Sequence, residues 1–184
     1  MTTDVAKRSS PVCPADAPWN DGGVARWLEC VRCQARFELA TVRYRCDCGG
    51  GLDLCHDLAA LDGTELKQRW NSRWGARRGP DASGVWRYRE IIMPAAERQI
   101  VTKAEGNTRL HPAGRAGEYA GLSDFWLKHE GDNPTGSFKD RGMTCGVTAA
   151  RIYGATAVAC ASTGNTSASM AAYAVQCGLR PIVF

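Results

Sequence analysis

The stretch Asn133-Pro134-Thr135-Gly136-Ser137-Phe138-Lys139-Asp140-Arg141-Gly142 decides how the rest of the chain is read. Before it, residues 124–130 read as a strand. After it, residues 137–153 read as a helix, with Met143, Val147, Ala150 and Tyr153 forming an apolar stripe at helical spacing. Lys139 therefore falls in a helix's first turn, beside N–H groups and partial positive charge that favour the free amine, the form that attacks a carbonyl. Taken alone, Lys-Asp-Arg reads more plainly as a solvated charge pair after a turn, so any chemistry must come from its surroundings.

Working outward, residues 156–161 form a continuous small and apolar run suited to a buried parallel strand. Residues 163–176 read as a second helix, stopped by Gly178, and Pro181 opens another strand. On the other side, residues 100–103 read as a short strand followed by a turn at residues 105–108. Strand, helix, strand, helix, strand with short links predicts a parallel α/β sheet with right-handed crossovers. Ligands of such sheets sit beyond the carboxyl ends of the strands. Two loops are expected there, one strand apart: residues 133–139, and Ala161-Ser162-Thr163-Gly164-Asn165-Thr166-Ser167. The first offers an amine. The second offers hydroxyls, an amide and a glycine at a helix N-terminus, where exposed N–H groups receive a carboxylate or phosphate. Three or so strands with two helices cannot cover both faces of a parallel sheet, so the chain is expected to be the front part of a longer protein.

Ahead of this region the chain divides into a Pro-, Gly- and Asp-rich tail at residues 1–25, expected to be disordered, a cysteine-bearing module at residues 26–56, and a connector at residues 57–96. The α/β part occupies residues 97–184. Cys30-Val31-Arg32-Cys33 and Cys46-Asp47-Cys48 flank an intervening segment, residues 34–45, able to form a short hairpin. Four thiolates presented by two tight turns make a tetrahedral zinc site, and a module this small needs the metal to fold. The second pair is Cys-x-Cys rather than Cys-x-x-Cys, and Gln34 stands where a glycine commonly eases the turn, so a metal-free ribbon and a redox dithiol stay open. Cys55 and His56 are possible substitute ligands, with packing the commoner role. In the connector, residues 57–70 have helical character. Trp70, Trp74 and Trp86 are expected in packing, and Arg69, Arg73, Arg77, Arg78, Arg87 and Arg89 on a solvated face.

The 184 residues carry nine cysteines and a formal charge of +4. No run of about 18 apolar residues suggests a membrane span, and residues 1–12 do not read as a secretory signal, so a cytoplasmic location with reduced or metal-bound thiols is expected. Nucleic-acid binding through Arg32, Arg36, Phe37, Arg43, Tyr44 and Arg45 is a distant alternative.

The two loop sequences, Asn-Pro-Thr-Gly-Ser-Phe-Lys-Asp-Arg-Gly at 133–142 and Ala-Ser-Thr-Gly-Asn-Thr-Ser-Ala-Ser at 161–169, resemble the pyridoxal-phosphate enzymes of the tryptophan-synthase-β fold type (fold type II). Within that group the likeness is strongest to the threonine synthases. It covers residues 86–184 and extends weakly to Cys48-Gly49-Gly50-Gly51-Leu52-Asp53. Glu105-Gly106-Asn107-Thr108-Arg109-Leu110 is similar to the family's Glu-Gly-x-Thr-Pro-Leu, with Arg109 replacing proline. The resemblance implies that Lys139 holds pyridoxal 5'-phosphate and shuttles protons at the substrate. It implies that Asn165 bonds the cofactor's phenolic oxygen, that Phe138 packs near its ring, and that Ser162, Thr163, Gly164 and Thr166 hold the substrate carboxylate. The implied reaction is O-phospho-L-homoserine plus water to L-threonine plus phosphate, with a phospho-amino acid as small-molecule partner and room for a homodimer when intact. Cysteate synthase and threonine dehydratase are the neighbouring alternatives. The family's glycine-rich phosphate cradle and its pyridine-nitrogen partner come later than these 184 residues, so this stretch alone is expected to be inactive.

Overall fold

The computed structural model describes residues 24–93 and 95–184. Most of the expected tail, Cys13 included, lies outside them. Strands β1 (Arg26–Cys30), β2 (Arg36–Phe37) and β3 (Leu52–His56) form an antiparallel sheet in the order β2-β1-β3. Its first turn passes through Gln34 at φ 60, so the position that lacks a glycine does adopt the left-handed backbone that glycine would ease.

The connector folds into short pieces. Asp62 caps α1 (Gly63–Ser72), its carboxylate accepting from the N–H groups of Thr64 and Glu65 at 2.7 and 2.9 Å. The helix therefore starts later than the sequence pattern suggests. A 3-10 turn at Trp86–Tyr88 runs into α2 (Arg89–Ile92) and buries Trp86 completely. Trp86 Nε1 donates to Thr144 Oγ1 at 2.7 Å, which satisfies its one polar atom inside the core. Three connector arginines pair with acids rather than lying free in solvent. Arg69 and Arg73 meet Glu90, and Arg89 meets Asp81. Burial alone would raise the Glu90 carboxyl, but Arg73, a backbone N–H and the Trp70 indole outweigh it and hold the group at about 2.

Beyond the connector, β4 (Leu110–Pro112), α3 (Gly114–Ala120) and β5 (Trp126–Lys128) precede α4 (Lys139–Ile152). Then follow β6 (Ala157–Cys160), α5 (Asn165–Gln176) and β7 (Arg180–Val183). Among the described residues the parallel crossover is present only between β6 and β7, which pair from Ala157↔Arg180 to Cys160↔Val183. The strand ahead of Lys139 does not join them. β5 pairs backward with β4, Leu110↔Lys128 to Pro112↔Trp126. The single parallel sheet with both loops at one edge is thus corrected to an antiparallel ribbon plus a parallel pair, with the loops brought together by helices.

Residues 100–103 are also not a strand. Val101 is buried, but side chains take its backbone groups: its N–H donates to Thr148 Oγ1 at 2.9 Å, and its carbonyl accepts from Thr144 Oγ1 at 2.7 Å. β6 is half-exposed rather than buried, because α4 and α5 pack one set of apolar residues, with Val158, around Val147, Tyr173, Ala174 and Leu179. A second cluster joins the cysteine module to the connector and α4. Leu39 packs with Trp86, Met93, Ile100 and Ile152, and Leu28 lies against them.

Candidate active site

Lys139 is the first residue of α4, half-buried, with Nζ 4.6 Å from the centroid of the neighbouring Phe138 ring. Phe138 is 56% exposed. The loop that delivers Lys139 is pinned from both sides. On one side, the fully buried Asp140 accepts from Thr135 N–H at 2.7 Å and from the hydroxyls of Thr135 and Ser169. On the other, Asn133 accepts from Gly106 N–H at 2.9 Å and donates to Glu130. Arg141 grips the Glu130 carboxylate with two hydrogen bonds of 2.7 and 2.8 Å, and that pairing holds the carboxyl at about 2. The reading of Lys-Asp-Arg as a solvated charge pair is corrected: Asp140 and Arg141 each belong to a separate internal network.

The Asp140–Ser169 bond brings the second loop alongside. Ser169 lies one turn along α5 from Asn165, so the two residues share a helix face, and that face abuts the start of α4. Asn165 is exposed at the first position of α5, behind Gly164, whose missing Cβ would meet open space. Ser162 Oγ accepts from Gly164 N–H at 3.3 Å, and Ser167 Oγ donates to the Ser162 carbonyl, which closes the turn. Among the described residues, Thr163, Asn165 and Thr166 make no side-chain hydrogen bond. The loops that carry Phe138 and Lys139, and Ser162, Thr163, Gly164, Asn165 and Thr166, are therefore neighbours at the starts of α4 and α5. An amine, an open aromatic face, an amide and a row of backbone donors fit an aldehyde-bearing, anionic ring compound such as pyridoxal phosphate.

Four residues the sequence reading passed over carry this geometry: Glu105, Glu130, Asp140 and Ser169. Glu105 is wholly buried and accepts from Ser83, Thr102, the Lys103 N–H and the Tyr173 hydroxyl at 2.8 Å. Burial and that carboxylate push the Tyr173 phenol well above its ordinary range. For Glu105 and Asp140 the visible signal was an acid at the start of a predicted turn or helix, a position favoured for accepting backbone donors; Glu130 and Ser169 carried no such signal. Burial pushes the thiol of Cys145, on α4, up to about 12, away from the range of an activated cysteine.

In the ribbon, Cys30, Cys33, Cys46 and Cys48 have all four sulfurs within 4.8 Å of one another, with Cys30–Cys48 and Cys33–Cys46 at 3.5 Å. Sulfurs 2.3 Å from a tetrahedral zinc stand about 3.8 Å apart, so the set fits that metal. Arg32 and Cys33 N–H groups point at the Cys30 sulfur, and a Cβ on Gly50 would stand 2.7 Å from it. Cys55 and His56 lie outside the cluster, and His56 accepts from Arg26 instead.

Residues 101–184 match the family described as pyridoxal-phosphate dependent enzyme. The threonine synthase of Methanocaldococcus jannaschii is 40% identical over 154 residues, covering 84% of this chain and 36% of that protein. That of Methanosarcina acetivorans is 41% identical over 159 residues, covering 85% and 36%. The chloroplastic threonine synthase 2 of Arabidopsis thaliana is 39% identical over 161 residues, covering 80% and 31%. The chain spans about a third of the length of these curated relatives. No described helix is long and apolar enough to cross a membrane. The lysine loop and the α5 turn both lie inside the stretch that matches the pyridoxal-phosphate dependent enzyme family, and the chain is similar to threonine synthases over about a third of their length.

Proposed function

We propose that the intact protein is a pyridoxal-phosphate enzyme of the threonine synthase type, converting O-phospho-L-homoserine and water to L-threonine and phosphate. The observation that carries this reading is the Asp140–Ser169 bond, which sets the start of α4 against the start of α5. When bound, the cofactor supplies an electron sink for charge developing next to the substrate's α-carbon. Lys139 contributes the amine that holds the cofactor's aldehyde carbon, and the same amine moves protons at the substrate's α- and β-carbons. Asn165 would present its amide to the cofactor's phenolic oxygen, and Phe138 would pack near its ring. Ser162, Thr163, Gly164 and Thr166 line the first turn of α5, where backbone N–H groups and the helix dipole hold the substrate carboxylate. Zinc held by Cys30, Cys33, Cys46 and Cys48 would serve folding rather than chemistry, because four thiolates leave it no open position.

The test uses the full-length protein with phosphohomoserine and phosphoserine side by side. Threonine and phosphate formed from the first support the reading; preference for the shorter phospho-amino acid replaces it with the cysteate synthase alternative. Lys139→Ala should lose at least about a thousandfold in turnover. Borohydride reduction should fix cofactor to the Lys139 peptide in the wild type only, as read by mass spectrometry.

A further inference from the structure

A cleft separate from the candidate active-site residues lies beside α4. Arg141, in its wall, is two residues beyond Lys139, about 200° round the helix, so the two side chains leave α4 in nearly opposite directions. The cleft has a volume of about 250 Å³ and is lined by Trp74, Arg87, Asn107, Thr108, Lys128 and Arg141, among others, with no carboxylate in its wall among the described residues. Gly84 and Gly106 meet backbone to backbone beside it, and a Cβ on Gly84 would stand 2.3 Å from Asn107 N.

The charge balance of this cleft is unusual. Arg69, Arg73, Arg89 and Arg141 each have an acidic partner, whereas Arg87, only 7% exposed, has none among the described residues. Its guanidinium carbon sits 4.0 Å from the Trp74 ring centroid and 4.8 Å from that of Tyr88. Nη2 donates to the Tyr88 hydroxyl at 2.6 Å, while Nε is buried without a hydrogen-bond partner. Lys128, across the cleft, donates to the Thr108 carbonyl and also lacks an ion pair among the described residues. Two cations without an ion-pair partner among the described residues, one of them nine-tenths buried, thus share a small cavity with Arg141, whose own charge is met by Glu130. Burying a guanidinium this way is costly unless an anion completes it.

We propose that this cleft is an oxyanion-binding site, taking a phosphate or phosphomonoester between Arg87 and Lys128. Planar guanidinium and mobile ammonium are the two side chains best suited to that group. The Thr108 hydroxyl bonds Glu130, and Arg141 reaches Thr108 at 3.3 Å, so the site touches the network that holds Asn133 and the lysine loop.

The test is calorimetric titration of the full-length protein with inorganic phosphate in chloride buffer. A saturable event is expected, weakened at least about tenfold in Lys128→Gln and in Arg87→Gln and unchanged in Arg32→Gln on the distant ribbon. Lys128 is surface-accessible, so its variant keeps the fold even where Arg87→Gln does not. No saturable binding at millimolar phosphate overturns the proposal. So does affinity unchanged in Lys128→Gln, which would place the phosphate elsewhere, the candidate active site included. Neither readout depends on turnover or on Lys139.

Discussion

At the scale of single residues, Asp140 sets the geometry that Lys139 depends on. Its carboxylate is inaccessible to water and accepts from one backbone N–H and two hydroxyls. Asp140→Ala leaves those donors buried without an acceptor, a loss of about 2–4 kcal/mol in urea unfolding. Because Thr135 and Ser169 are then no longer tied together, cofactor occupancy should fall even under conditions where the variant remains folded. Glu130 makes a pH-dependent contribution of known sign. Its carboxyl is lowered in the folded state to about 2 by Arg141, from an ordinary value of 4.5. The stabilisation is complete above 4.5 and is lost as pH falls from there through about 2. Urea midpoints measured across that window should fall with pH in the wild type, with a visibly shallower slope in Glu130→Gln.

At the scale of elements, the two helices were legible because their apolar stripes are periodic and their ends carry signals. Val147 lies in the core, Met143 and Ala150 pack against it, and Gly178 stops the second helix at φ 78. The strands were less legible, since a three-residue segment carries no information about its partner. β5 pairs with β4 through contacts that the local sequence of neither announces. Val101 looked like a strand residue because it is apolar and buried, yet Thr144 and Thr148, more than forty positions away, take the bonds a ladder would have made. The close approach of Gly84 to residues 106–107 was equally invisible. It makes a sharp test of the segment joining the connector to the lysine loop. Gly84→Ala puts a methyl 2.3 Å from backbone nitrogen, and backbone cannot yield as a side-chain tip does. A destabilisation of about 3 kcal/mol in chemical denaturation is expected.

At the scale of the whole molecule, the cysteine ribbon is built into the core of the α/β part. Leu39, from the loop between the two cysteine pairs, lies in the cluster with Trp86, Met93, Ile100 and Ile152, and Leu28 of β1 packs against it. Tyr153, at the end of α4, donates its hydroxyl to the Leu39 carbonyl at 2.6 Å. A ribbon of three short strands buries too little apolar surface to hold its shape unaided, so a metal held by the four sulfurs would fix the position of Leu39. Chelation, or Cys46→Ser, should then do more than loosen residues 26–56. It withdraws Leu28 and Leu39 from Trp86 and Ile152, and the melting temperature of the whole chain should fall by about 10 °C or more in one cooperative transition. Metal content by elemental analysis, followed with near-ultraviolet circular dichroism through the same melt, would check this. Tyr153→Phe removes one coupling bond, worth about 1 kcal/mol, and should begin to separate the two parts. Two transitions in the metal-free wild type, with the second at the metal-bound temperature, would refute the shared core as the route by which the ribbon stabilises the lysine-bearing half.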